Sequence, residues 1–346
     1  MKSVYEEEIF QQPDVIRNVV ITKSAQIASL AINILKKPPK FIMIAARGTS
    51  DNAAIYAKYL FTGINRIPVG LAMPSLFTLY QQKPILEEGL VIGISQSGQT
   101  PDVHAVLEEA NRQGVPTISI TNTEESPLAS LADFNIIVDA GEERSVAASK
   151  TYTSQLTVIA MLSAFLSRDD KSIDDLQRLA NYVDEALSQM HVTKLISSRL
   201  KEKDHIAIVG RGFNYCTTHE IALKIKELSY MIAQSYSAAD FRHGPIAMLE
   251  PGFPVVAIAV KGKALTDMES MIKSIQWTDA DLEIMTNAPW LMKITKNPIL
   301  LPEEMPEWLS PIVSTIPGQM LALNLSLAKG IDPDKPRGLK KVTLTY

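Results

Sequence analysis

The sequence predicts an α/β protein built from two doubly wound parallel sheets in tandem. Three observations lead there. Short, unalternated apolar runs such as KFIMIAARG, GLVIGIS and VPTISITN are each followed by a helix-like segment, which marks strands buried on both faces. The pattern then restarts: DHIAIVGRG mirrors KFIMIAARG, and PGFPVVAIAVKGK mirrors GLVIGISQSGQT. Finally, 346 residues with 46% apolar and 21% charged side chains have the length and balance of two ordinary globular domains.

Residues 1–37 read as an N-terminal helical arm, EEEIFQQPDVIRNVV and then a longer helical segment that stops before Pro38 and Pro39. Residues 38–168 form the first domain, with strands in KFIMIAARGTS, PVGLA, GLVIGISQSGQT, VPTISITN and FNIIVDAG. Its last helix is the apolar TSQLTVIAMLSAFL, and the charged RDDKSIDDLQRL after it marks a boundary between about Arg168 and Asp175. Residues 169–200 are a helical linker, 201–332 the second domain, and 333–346 a C-terminal tail.

A net charge of −4 and a pI near 5.8 argue against nucleic acid or an anionic membrane as the main partner. Cys216 is the only cysteine, which excludes an intrachain disulfide and a thiolate metal cluster. The acidic start MKSVYEEEIFQQP lacks the apolar core of a signal peptide, and no run of about 18 uninterrupted apolar residues marks a membrane span. A cytoplasmic protein is expected. His104, His191, His205, His219 and His243 are scattered without metal-ligand spacing, so no metal or other cofactor is expected.

Two stretches carry chemistry. In Thr217–Pro245, Ile221, Ile225 and Leu228 form one buried helical stripe, and Glu220, Lys224 and Glu227 share a side of the same helix. A turn-rich segment then delivers Arg242, His243, Gly244 and Pro245. Carboxylates, an ammonium and an imidazole can divide acid and base roles. The same spacing also describes a salt-bridged surface face with a solvated histidine. In the first half, Ser95-Gln96-Ser97-Gly98-Gln99-Thr100 sits where a strand turns into a helix that opens with Pro101 and Asp102. Amides at a helix start with three hydroxyls make an anion site. Gly48-Thr49-Ser50 ends the neighbouring strand and either joins that crevice or merely caps a helix. VKGKALTD, at the matching place in the second half, lacks the hydroxyls, so its crevice is expected to do something else.

SQSGQT, SVAASKTYTSQ, EIALKIKELSY, SAADFRHGP and DPDKPRGLKKVTL, in that order, resemble the isomerase half of glucosamine-6-phosphate synthases, of the SIS-domain phosphosugar isomerase family. The resemblance runs from about Glu6 to the C-terminus and implies a homodimer with sites near the subunit interface. Carried over residue by residue, Ser50, Ser95, Gln96, Ser97 and Thr100 would bind a sugar 6-phosphate. Val146 and Ala148 would line the sugar pocket, Ala148 where the synthases commonly have serine. Glu227 would move a proton between C1 and C2, supported by Glu220 and Lys224. His243, in its own or the partner subunit, would open the pyranose ring, and Lys341, beside Lys340, would form an imine with the ketose under a closing C-terminal tail. Arg47 replaces a usual cysteine, while His219 and Cys216 read as structural.

The synthases also carry a glutaminase domain with a catalytic cysteine. Here the isomerase pattern begins almost at Met1 and Cys216 lies in the wrong region, so glutamine is not expected to supply nitrogen within this chain. The expected reaction is then deamination of glucosamine 6-phosphate to fructose 6-phosphate and ammonia. A fructosamine-6-phosphate deglycase, a galactosamine-6-phosphate deaminase or isomerase, and a non-catalytic phosphosugar sensor are the alternatives. The acidic, short N-terminus does not suit the DNA-binding segment that sensors usually carry.

Overall fold

The structure, a computed structural model, describes residues 2–341; residues 342–346 of the expected tail lie outside the described residues. The element order is α1 (Val4–Lys36), β1 (Phe41–Ala45), α2 (Thr49–Gly63), β2 (Val69–Leu71), α3 (Pro74–Thr78), β3 (Gly89–Ile94), α4 (Pro101–Arg112), β4 (Thr117–Thr121), α5 (Pro127–Leu131), β5 (Phe134–Ile137) and α6 (Lys150–Ser167). It continues with α7 (Asp170–Leu187), α8 (Met190–Leu200), β6 (His205–Gly210), α9 (Tyr215–Ser229), β7 (Ile232–Ser237), α10 (Ala238–Arg242), β8 (Pro254–Ala259), α11 (Leu265–Gln276), β9 (Asp281–Thr286), β10 (Ile299–Leu300) and α12 (Ser310–Ala328).

Two parallel five-stranded sheets confirm the predicted class. Their orders, β2-β1-β3-β4-β5 and β7-β6-β8-β9-β10, are the same topology repeated. The chain divides into two compact units that interleave in sequence. The sheet-I unit comprises Asp14–Glu143, Lys150–Arg178 and, among the described residues, Lys340 and Lys341. The sheet-II unit comprises the chain up to Pro13, Arg144–Ser149 and Leu179–Leu339. Each has its own core: Ala45, Val91, Val103 and Leu107 between sheet I and α4, and Val209, Val255, Met268 and Ile272 between sheet II and α11.

Three local differences from the sequence reading have physical causes. The arm is one unbroken helix that contains Pro13. Proline lacks the N–H that would reach the Ile9 carbonyl, and the Gln12 side-chain amide donates to that carbonyl instead, at 3.0 Å. The helix α1 also has the length and mean hydropathy to cross a membrane. Its buried residues Ile9, Ile16, Val19, Ile27 and Leu30 fall on one stripe, however, with Arg17 exposed between them. The segment read as turn-rich before His243 is largely strand β7, which among the described residues pairs with β6 alone, from His205↔Ile232 to Gly210↔Ser237. An edge strand has one neighbour and one exposed side, so the polar residues of IAQSYS are compatible with it.

The helix that carries Glu220, Lys224 and Glu227 is seated on α12, which is buried along nearly its whole length. Gly318 makes the close approach possible: a Cβ there would lie 2.3 Å from Ile221 Cγ1. Gly318→Ala is therefore expected to cost about 1–3 kcal/mol by overpacking, read as a lower midpoint in chemical denaturation. A midpoint equal to the parent's would show that Ile221 has room to move aside.

Candidate active site

In sheet I the chain leaves β1 toward β2 and leaves β3 toward β4, so the loops after these adjacent strands part and open a crevice. On the β3 side, Ser95–Thr100 run into α4. Ser95 Oγ lies 3.1 Å from Thr100 Oγ1 and accepts from the Gly98 amide at 3.2 Å, while Ser97 Oγ accepts from the Gln99 amide at 3.2 Å. The loop is pinned from outside at the Gly98 carbonyl, which accepts from the Leu128 amide at 3.1 Å and meets His104 Nε2 at 2.8 Å. On the β1 side, buried Ser50 sits in the first turn of α2 and its hydroxyl accepts from Gln155 Nε2 at 3.1 Å. Arg47, which follows β1, spans the crevice to Asp102 in the first turn of α4, with Nε and Nη2 at 2.9 and 2.6 Å from Oδ2. Burial raises the pKa of the adjacent Asp51, and Arg47 opposes that rise.

Beside the loop lies a cavity of about 370 Å³ lined by Gln96, Ser97, Asn122, Thr123, Glu143 and Lys341, among others. Lys341 Nζ donates to Glu143 Oε2 at 2.8 Å. Glu143 is buried and also accepts from the Thr151 amide at 3.1 Å and hydroxyl at 2.7 Å, so the lysine is held by a fixed carboxylate. A larger cavity of about 480 Å³ opens at the N-terminal ends of the strands, against Leu30, Ile34, Leu90 and Phe134. Among the described residues no serine or threonine lines it, and ligands of doubly wound sheets bind at the opposite, C-terminal ends. The candidate site is the smaller, polar one.

In the sheet-II unit, Glu220, Lys224 and Glu227 are brought together on α9. Lys224 Nζ is 2.5 Å from Glu227 Oε2 and 3.5 Å from Glu220 Oε1. The side chains of Glu220 and Lys224 are 0% and 1% exposed and that of Glu227 is 21% exposed. This is not the solvated salt-bridged face that the spacing alone also allows. Of the two carboxylates, Glu227 is the one open to solvent. Tyr230 ends α9 in the left-handed conformation, and its hydroxyl accepts from the Arg337 amide at 2.8 Å. The segment carrying Val146 and Ala148 is fixed by buried Glu8, which accepts from the amides of Arg144 and Ser145 at 2.5 and 3.3 Å. Val146 and Ala148 are half-buried, between buried Ser145, Ala147 and Ser149. His243 caps the short helix α10 and is exposed; among the described residues its imidazole has no hydrogen-bonding partner.

A family model described as "SIS domain" matches residues 35–164 and again 199–329. The chain belongs to the SIS domain family. An isomerizing glutamine–fructose-6-phosphate aminotransferase of Thermococcus kodakarensis is 35% identical over 345 residues, covering 97% of this chain and 57% of the relative. The chain thus spans little more than half of that relative's length. The C-terminal domain of a glucosamine-fructose-6-phosphate aminotransferase from Francisella tularensis superposes with a TM-score of 0.89 at 28% identity, over 97% of this chain and 99% of that one. A putative phosphosugar isomerase from Silicibacter pomeroyi gives 0.86 at 26%, over 96% and 100%.

The two SIS halves share more than topology. Arg211 follows β6 as Arg47 follows β1, and its Nε lies 3.2 Å from Asp267 Oδ2 in the first turn of α11. The Arg–Asp strut between two strand ends is thus repeated in both halves. Arg47 braces the crevice in this way, which accounts for an arginine at that position. His219 Nδ1 meets Ser235 Oγ at 3.1 Å, and burial, with a smaller effect from Lys226, lowers its pKa and disfavours the imidazolium. Cys216 is buried, with its thiol donating to the Phe213 carbonyl at 3.2 Å. Glu143, His104 and Glu8 escape sequence reasoning. Glu143 and His104 flank recognised motifs, but only contacts with residues distant in the chain distinguish Glu143 and Glu8 from surface carboxylates.

Proposed function

We propose that this SIS protein is a phosphosugar isomerase of the deaminating kind, converting glucosamine 6-phosphate and water into fructose 6-phosphate and ammonia. The observation that carries the proposal is the cavity lined at once by the hydroxyl loop and by Lys341. A loop that holds the phosphate and a carbonyl-reactive amine are the two requirements of imine chemistry on an open-chain sugar phosphate. Its volume of about 370 Å³ suits a small ligand.

Ser50, Ser95, Gln96, Ser97 and Thr100 hold the phosphate, and Val146 and Ala148 line the sugar. His243, of its own subunit or lent by the partner of a homodimer, protonates the ring oxygen as the C1–O bond to it opens. Glu227 takes the C2 proton and returns it to C1, so the aldehyde becomes a hydroxymethyl group and the C2 amine a ketimine. Lys224, against both carboxylates, stabilises the charge that develops in the enolamine. The Lys341 amine adds to C2 and expels ammonia, and water then releases the ketose and restores the lysine. Glu143 orients that amine.

The test follows ammonia and fructose 6-phosphate together from glucosamine 6-phosphate. Equal release of both, with ammonia release cut at least about a hundredfold in Lys341→Met, is the expected outcome. Binding of the sugar phosphate without release of either product would overturn the deaminase assignment. Interconversion of aldose and ketose phosphates without ammonia would keep the isomerase and remove the deamination.

A further inference from the structure

Strand β8 holds in sheet II the place that β3 holds in sheet I, so the loop Lys261-Gly262-Lys263-Ala264 before α11 is the counterpart of Ser95–Thr100 before α4. The two loops are satisfied differently. In the first, amides turn to the loop's own serine hydroxyls, and among the described residues none from Gln96 to Thr100 donates to a carboxylate. In the second, one carboxylate sits on the helix start. Glu307 Oε2 accepts from the Lys263 amide at 2.8 Å and Oε1 from the Ala264 amide at 3.1 Å.

The backbone is shaped around that carboxylate. Gly262 has φ +155°, and a Cβ there would stand 2.2 Å from Glu307 Cδ. A residue with a side chain would have to displace the carboxylate. Glu307 is held from behind as well: it opens the short turn Glu307–Leu309 ahead of α12, its carbonyl accepts from Ser310 Oγ at 2.6 Å, and that hydroxyl accepts from Asn214 Nδ2 at 2.7 Å.

We infer that Glu307 is a built-in anion, occupying in the second SIS half the position that the first half leaves for a phosphate. The identification of that position rests on the phosphate assignment proposed above. A carboxylate bridging two amides at a helix start makes the charge-assisted bonds a phosphate would make. It also denies the site to any other anion, through occupancy and repulsion. The duplicated fold therefore carries one phosphosugar site per chain, and Glu307 is the residue that sets the number.

The test compares the full chain with Glu307→Ala in thermal melts, in chloride and in inorganic phosphate at matched ionic strength, and titrates phosphate by calorimetry. The expected result is a Tm lower by on the order of 3 °C in chloride. Phosphate should return at least half of that loss, and the phosphate count should rise from one to two per chain. A variant with the parent's Tm overturns the inference, as does a loss that phosphate mends no better than chloride with the count still one. If the alanine variant does not fold, Glu307→Gln, which keeps one acceptor, takes its place. Its failure to fold in phosphate as well would mark Glu307 as structural and overturn the inference. A parent chain that binds no phosphate while the variant is rescued strikes the sheet-I assignment and leaves Glu307 as a carboxylate-filled anion position.

Discussion

Replacing Glu227 by glutamine is expected to lower turnover of glucosamine 6-phosphate by about 10²–10⁴-fold, the range of a positioned general base. Phosphosugar affinity should change little, because the phosphate contacts assigned to Ser95–Thr100 are untouched. The amide is isosteric and keeps an acceptor for Lys224 Nζ, which lies 2.5 Å away in the parent, so the helix should not be disturbed. The effect should therefore fall on kcat and spare KM. Steady-state kinetics with ligand titration of the same variant separates the two. Loss of binding in step with turnover would make Glu227 a binding residue and leave the proton transfer without a base.

The same variant tests whether sites are shared between subunits. Glu227→Gln and His243→Ala are each expected to be inactive. If His243 serves the partner's site, mixing and re-associating the two variants creates heterodimers with one intact site, and about a quarter of the parent activity returns. Activity that stays at zero after exchange would return His243 to its own subunit.

The second large effect is on stability. Lys224→Met should destabilise the protein by about 3–5 kcal/mol, because it leaves the fully buried Glu220 carboxylate without its ammonium. Glu227, being 21% exposed, retains water and contributes less. Adding Glu220→Met to Lys224→Met should recover much of the loss, since an apolar pair needs no compensation in that environment. Denaturant unfolding of the parent, the two single variants and the double variant closes the cycle. Single and double variants of equal stability would mean that the carboxylate finds other compensation on α9.

The sequence by itself determined the fold class and the tandem repeat, and it supplied the chemical groups on which the proposed reaction draws. Those properties are written locally: apolar runs of strand length, helical periodicity, and a hydroxyl loop opening on proline are all patterns within a dozen residues. It left undecided whether Glu220, Lys224 and Glu227 form a solvated face or a sealed cluster, since i,i+3 and i,i+4 spacing is the same in both. Packing decided it, through Gly318 of α12 against Ile221 of α9, nearly a hundred residues away. The partners of Lys341 and of the loop before α11 were equally invisible. Glu143 and Glu307 stand 198 and 44 residues from the groups they hold, and no periodicity links positions so far apart. Whether a carboxylate serves as a surface charge, an anchor for an amine or an occupant of an anion site depends on what the folded chain brings to it. That is a property of tertiary structure alone.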